Sequence, residues 1–168
     1  MKRALGTMIV LMVVAILAGT FIITKYATAG EIGTDGRFIA YDNGTVLDTR
    51  TNLIWAAKDN GSDINWQSAK SYCENYRGGG YSDWRLPTQG ELAVLYDASK
   101  SRQGACDRSY KIHVATELID TTCFAPWASE TSDSYAAYFR FLDGEKVWSP
   151  KSYDSNSRAL PVRSVKNK

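Results

Sequence analysis

From Phe38 onward, short apolar runs alternate with turn-forming residues, and that alternation predicts strands. Phe38-Ile39-Ala40-Tyr41 leads into Asp42-Asn43-Gly44 and out through Thr45-Val46-Leu47. Asn-Gly between β-type runs predicts a hairpin, because both residues tolerate positive φ. Residues 48–52 read as a second turn before Leu53-Ile54-Trp55. The period then changes. Asn65 is placed to cap a helix with an apolar stripe of Trp66, Ala69, Tyr72, Cys73 and Tyr76, which Arg77-Gly78-Gly79-Gly80 stops. Thr88 and Glu91 have capping-box spacing and predict a second helix through Leu92, Leu95 and Tyr96. Weak periodicity over 98–122 predicts a loop. Strands return at 124–128 and 135–142, with Asp143-Gly144 turning the chain into Val147-Trp148, and 149–157 reads as loop. A closing strand is expected over 159–165, where Pro161 suits an edge or a bulge. The order predicts one α+β domain over residues 30–168, with two helices, antiparallel strands and long loops. Both of its ends are extended segments able to pair.

Ahead of the domain, Met1-Lys2-Arg3 precedes 21 uncharged residues (4–24) and Ala27-Thr28-Ala29. A signal peptide cut after small residues fits residues 1–29, and so does an uncleaved membrane anchor through 4–24. Either leader predicts export to the periplasm, the cell surface or the medium, with anchoring to the inner membrane in the second case. The leader also changes the charge picture. Of 20 Lys and Arg, three precede residue 30, so 17 basic residues face 18 acidic ones in the domain. A nucleic-acid partner is not indicated. Three cysteines in an exported chain leave one unpaired. Cys106 and Cys123 bracket the loop and are the expected disulfide. Cys73 reads as a small buried residue, an intermolecular bridge or a reactive thiol.

Several stretches resemble the Lcl C-terminal domain family. They are residues 46–55, which include Asp48 and Trp55, the helix over 66–73, and above all Gly79-Gly80-Tyr81-Ser82-Asp83-Trp84-Arg85-Leu86-Pro87-Thr88 followed by Glu91-Leu92. Trp127-Ala128-Ser129-Glu130-Thr131 and Leu160-Pro161-Val162-Arg163-Ser164-Val165 resemble two later family segments. The resemblance covers about residues 37–166. It implies a fold similar to C-type lectins and formylglycine-generating enzymes, and a secreted or surface-displayed module; the adhesin that names the family binds sulfated polysaccharide. The family often has a cysteine where this chain has Ser164, and the resemblance implies that it pairs with the residue matching Cys73. The near-neutral charge weakens a carry-over of sulfate binding.

Asp48, Trp55, Gly80, Asp83, Trp84, Arg85, Pro87 and Glu91 are expected to be structural, with Trp84 in the core and Asp83 and Arg85 bracing the loop. A ligand-binding face is expected from Arg140, Lys146, Trp148, Lys151, Tyr153 and Arg158, because aromatic faces stack on sugar rings and basic groups pair with acidic substituents. Asp59, Asp63 and Asp83 lack calcium-loop spacing, and His113, the one histidine, reads as an exposed loop residue without a nucleophile beside it. No metal, cofactor or catalytic group is expected. The expected function is a non-enzymatic binding or adhesion module for polysaccharide or another surface ligand; the alternative is a structural subunit of an envelope or surface assembly, joined through Cys73 or the leader into an oligomer.

Overall fold

The computed structural model describes residues 29–165, so all but the last residue of the expected leader lies outside the described residues. Five strands form the first sheet: β1 (Glu31–Asp35), β2 (Phe38–Tyr41), β3 (Thr45–Asp48), β4 (Leu53–Ala56) and the late strand β11 (Val162–Ser164), in the order β1-β2-β3-β4-β11. Register puts Ala40, Val46, Trp55 and Val162 side by side across four strands, all buried on one face. Gly44 turns β2 into β3 at φ 77°, as Asn-Gly predicts. The closing strand pairs with β4, not with the first strand of the domain. It is an edge strand of this sheet, as Pro161 predicts. β1 was not legible, because Glu31-Ile32-Gly33-Thr34-Asp35 is largely exposed and has no apolar alternation.

Helix α1 (Trp66–Asn75) begins at Asn65, whose side chain accepts the Ser68 N–H, and α2 (Gln89–Val94) begins at Thr88 with the full capping box. Both helices are shorter than their patterns suggest. Tyr76 is already extended, and the three glycines form a separate 3₁₀ turn.

The remaining elements are a small ladder of β5 (Arg102–Gln103) and β6 (Lys111–Ile112), then β7 (Ala125–Ser132), β8 (Tyr135–Arg140), β9 (Glu145–Pro150) and β10 (Ser157–Arg158). The last four make a second sheet, β10-β7-β8-β9, antiparallel except for the parallel β10-β7 pair. The first half of β7 and the middle of β8 are buried on both faces, whereas β9 is largely exposed. Ala128, Ala137 and Phe139 join Trp55, Leu92, Leu95 and Val162 in the larger core, while Trp127 and Ala136 join Trp66, Ala69, Cys73 and Leu86 in the smaller one. α1 therefore packs on one side of β7-β8, and the first sheet with α2 on the other.

Residues 98–122 depart from the expected loop in one respect. Ile112, Val114 and Ile119 are buried in the larger core, so short turns here carry core side chains that a search for periodicity misses. The disulfide between Cys106 and Cys123 ties this segment across 17 residues. Closing such a loop restricts the unfolded chain by about 3 kcal/mol. Replacing both cysteines by serine is expected to lower stability by about that amount, read by chemical denaturation.

Candidate functional site

The expected ligand-binding face does not assemble. Cross-strand partners share a face, so the pairs Ala137–Trp148 and Phe139–Lys146 put Trp148 and Lys146 on one face of the β8-β9 ribbon, while the Arg140–Glu145 pair lies on the other. Arg140 is held by Asp143 and Glu145, and Lys151 donates to the Asp133 carbonyl with its ammonium 5.2 Å from the centre of the Trp66 ring. Tyr153 is exposed on its own loop. Arg158 is buried, and this corrects the expectation of a surface cation. Its guanidinium donates to Asp63 and the Thr122 hydroxyl, beside the buried Asp59. Sequence spacing did not show this because the partners lie far away along the chain.

A different surface does assemble, along helix α1. At 100° per residue, Ala69 and Cys73 point into the core while Tyr72 falls on one flank, and Tyr76 joins it just past the end of the helix. Both tyrosines are only half-buried, Tyr72 packing against the smaller core while part of its ring stays accessible. With Ile64, Ser68, Ser71, Asn75 and Arg77 they line an open groove of about 510 Å³. Their ring centroids are 6.1 Å apart. Tyr76 leans edge-on against Trp84 at 5.1 Å. Its other neighbour is Gly78, where an added Cβ would come within 2.5 Å of the Tyr76 hydroxyl. Glycine there lets the ring lie flat against the backbone. Burial pushes both phenols above their ordinary pKa, reinforced at Tyr72 by the neighbouring tyrosine. They are therefore neutral donors at physiological pH. Neither phenolic hydroxyl nor the Asn75 carbonyl oxygen is engaged by a protein partner among the described residues.

Beneath the groove, the segment from Gly79 to Glu91 fastens the last strand to the domain. Gly79, at φ 65°, lies so close to Thr45 of β3 that a Cβ would sit 2.7 Å from its methyl group, and Gly80 follows at φ 76°. Asp83 accepts from Arg163 of β11 at 2.7 and 3.2 Å, and the same guanidinium stacks 3.9 Å over Tyr81. Trp84 is buried and donates to the Gly78 carbonyl. Arg85 exchanges two backbone hydrogen bonds with Val162, and its side chain grips Glu91 through both oxygens at 2.7 and 2.8 Å. Pro87 is buried and its carbonyl accepts from Ser129. Asp48, on the hairpin, holds Arg37 and the Arg50 N–H, and Trp55 fills the core between the sheets. Each residue expected to be structural is thus built into the fold. The model of the Lcl C-terminal domain family matches residues 44–163, which contain all of this clasp. The chain belongs to that family. No curated protein matches it.

The family pattern also frames Cys73 and Ser164. Ser164 is exposed on β11, whereas Cys73 is wholly buried between α1 and β7, and burial raises its thiol far above the ordinary value. A thiol so placed is closed to intermolecular bridging and is a poor nucleophile. His113 is half-buried rather than an exposed loop residue: its Nδ1 lies 2.7 Å from the Lys100 carbonyl, and its ring packs on Tyr96. Asp59 and Asp63 meet at Arg158 while Asp83 lies with Arg163. Among the described residues no group of three or more His, Cys, Asp and Glu is arranged to hold a metal ion.

Glu91 carries a pH signature. Burial alone would raise its pKa, but the Arg85 guanidinium and the N–H and hydroxyl of Thr88 outweigh burial and hold it below the ordinary 4.5. A depressed carboxylate stabilises the fold above the unfolded pKa, and that contribution is lost as pH falls through the folded value. The drop in melting temperature between about pH 5 and about pH 3 is therefore expected to be shallower in Glu91→Gln.

Proposed function

We propose that this domain is an exported, non-catalytic binding or adhesion module that takes a carbohydrate in the groove along α1. The observation that carries the reading is the pairing of two tyrosine rings with uncommitted phenolic hydroxyls and the free Asn75 carbonyl oxygen around one open groove. A sugar ring offers apolar C–H faces to aromatic rings and hydroxyls to neutral donors and acceptors, so the two surfaces are complementary. Export is supported by the Cys106–Cys123 disulfide, which persists in oxidising compartments, and by the sequence of residues 1–29. The absence of catalysis is supported by the commitment of Cys73 to the core and of His113 to the Lys100 carbonyl.

Tyr72→Ala is expected to weaken oligosaccharide binding by at least tenfold, about 1.4 kcal/mol, and, because the half-buried ring also packs against the smaller core, to lower stability by about 1–2 kcal/mol without unfolding the domain. Calorimetric titration beside a melting curve reads both. Equal binding by the variant and the natural protein would remove the groove from the account.

A structural subunit is the second reading, and one observation favours it. Tyr135 and Trp148 are about half exposed, at 48% and 47%, and share a sheet face with Pro150, a surface suited to a protein neighbour. Cys73 would not join such an assembly. Co-purification of a stoichiometric partner that Trp148→Ala abolishes would favour it over sugar binding.

A further inference from the structure

On the opposite flank of α1 lies a second, smaller cleft of about 250 Å³, lined by Trp66, Lys70, Glu74, Arg85, Leu86, Thr88 and Ser129. Trp66, Lys70 and Glu74 recur every four residues on the helix, so they form one row, opposite the flank that carries Tyr72. The buried row of Ala69 and Cys73 separates the two on the inside, and the exposed Gln67 and Ser71 form the ridge between them on the outside. We infer that the two clefts are subsites for one ligand that crosses this ridge, and that the ligand is a neutral or weakly charged oligosaccharide rather than a monosaccharide or a heavily sulfated polymer. The inference rests on the reading of the α1 groove as a sugar site and goes on to specify the ligand.

Length and charge carry it. A helix with its side chains is about 10–12 Å across, wider than a single sugar ring, so contact with both clefts takes several linked rings. The second cleft has the same character as the first, an apolar floor of Trp66 and Leu86 under polar rims at Thr88 and Ser129. Its cations are already matched. Lys70 pairs with Glu74, and both terminal nitrogens of the Arg85 guanidinium are occupied by Glu91. Beyond these pairs the surplus cations are Arg77, whose Nη1 is turned back onto the Glu74 and Tyr76 carbonyls, and Lys151 beside Trp66, whose ammonium donates to the Asp133 carbonyl. A polysulfated chain would meet little positive charge here, whereas a neutral chain loses nothing by its absence. Two linked weak subsites add their free energies through the covalent chain, so affinity rises with chain length until both are filled.

The test is calorimetric titration of the full chain with chito- and cello-oligosaccharides from the monosaccharide to the hexasaccharide, beside heparin-derived oligosaccharides of matching length. A neutral hexasaccharide is expected to bind on the order of tenfold or more tighter than its monosaccharide. That affinity should change less than about twofold between about 50 and about 500 mM salt. Ser129→Phe, which fills the second cleft from an exposed position, should bring the hexasaccharide down to the level of the monosaccharide, whereas Tyr72→Ala weakens both. A flat length dependence, or a hexasaccharide indifferent to Ser129→Phe, would overturn the two-subsite inference and leave the groove standing. Preferential binding of the sulfated series with steep salt dependence would overturn the assignment of ligand class. No binding by either series would overturn the sugar reading of the groove itself.

Discussion

Trp84→Ala is expected to destabilise the domain by about 3–5 kcal/mol, the cost of emptying a buried aromatic site. For a domain of this size that is a fall of roughly 10–20 °C in melting temperature. The indole is 3% exposed, donates to the Gly78 carbonyl, and meets Tyr76 and Tyr81 edge-on at 5.1 and 6.3 Å. Truncation leaves a cavity that the fixed Gly78–Gly80 turn and the Arg85–Val162 bridge prevent from closing. The same change should also impair the groove, because Tyr76 loses the surface it rests on. A melting temperature within a few degrees of the natural protein would show that the segment is not the brace described here.

Asp83→Ala is expected to cost about 2–3 kcal/mol, below the roughly 3–5 kcal/mol for breaking a fully buried ion pair because the carboxylate is itself 30% exposed. The damage lies on the partner's side. Arg163, with 7% of its side chain exposed, keeps its stacking on Tyr81 but loses the carboxylate that neutralises it. If the uncompensated charge is what costs, then Arg163→Met in the Asp83→Ala background should recover part of the loss. A double-mutant cycle by urea denaturation measures this coupling. Strict additivity of the two substitutions would contradict the clasp.

Local turn and cap chemistry is why so much of the fold is legible in the sequence. Asn43-Gly44, Asn65, and Thr88 with Glu91 each act within a few residues of themselves, so turn and cap chemistry place them without knowledge of the tertiary structure. Asp83 and Arg85 read as braces and Trp84 as core from their place after the glycine turn, although the partners Arg163 and Val162 lie some 80 residues away. Readings that depended on parity or distance fared worse. Arg158 and Lys151 look alike as basic residues near the C-terminus, yet one is buried against Asp63 and the other reaches a loop carbonyl. Tyr72 and Tyr76 fit an apolar helical stripe, and only the position of the neighbouring elements decides that they border a groove. One signal was available. Two tyrosines four residues apart among Ser68, Ser71, Asn75 and Arg77 are more polar in their surroundings than a buried flank requires.

The central claim is the location of the binding surface, and an amide chemical-shift titration of the isotope-labelled full chain with a neutral hexasaccharide tests it most directly. Saturable shifts are expected, centred on residues 68–77 and extending to Arg85 and Ser129, with the β8-β9 ribbon unmoved. Shifts centred on Lys146 and Trp148, with α1 silent, would contradict it.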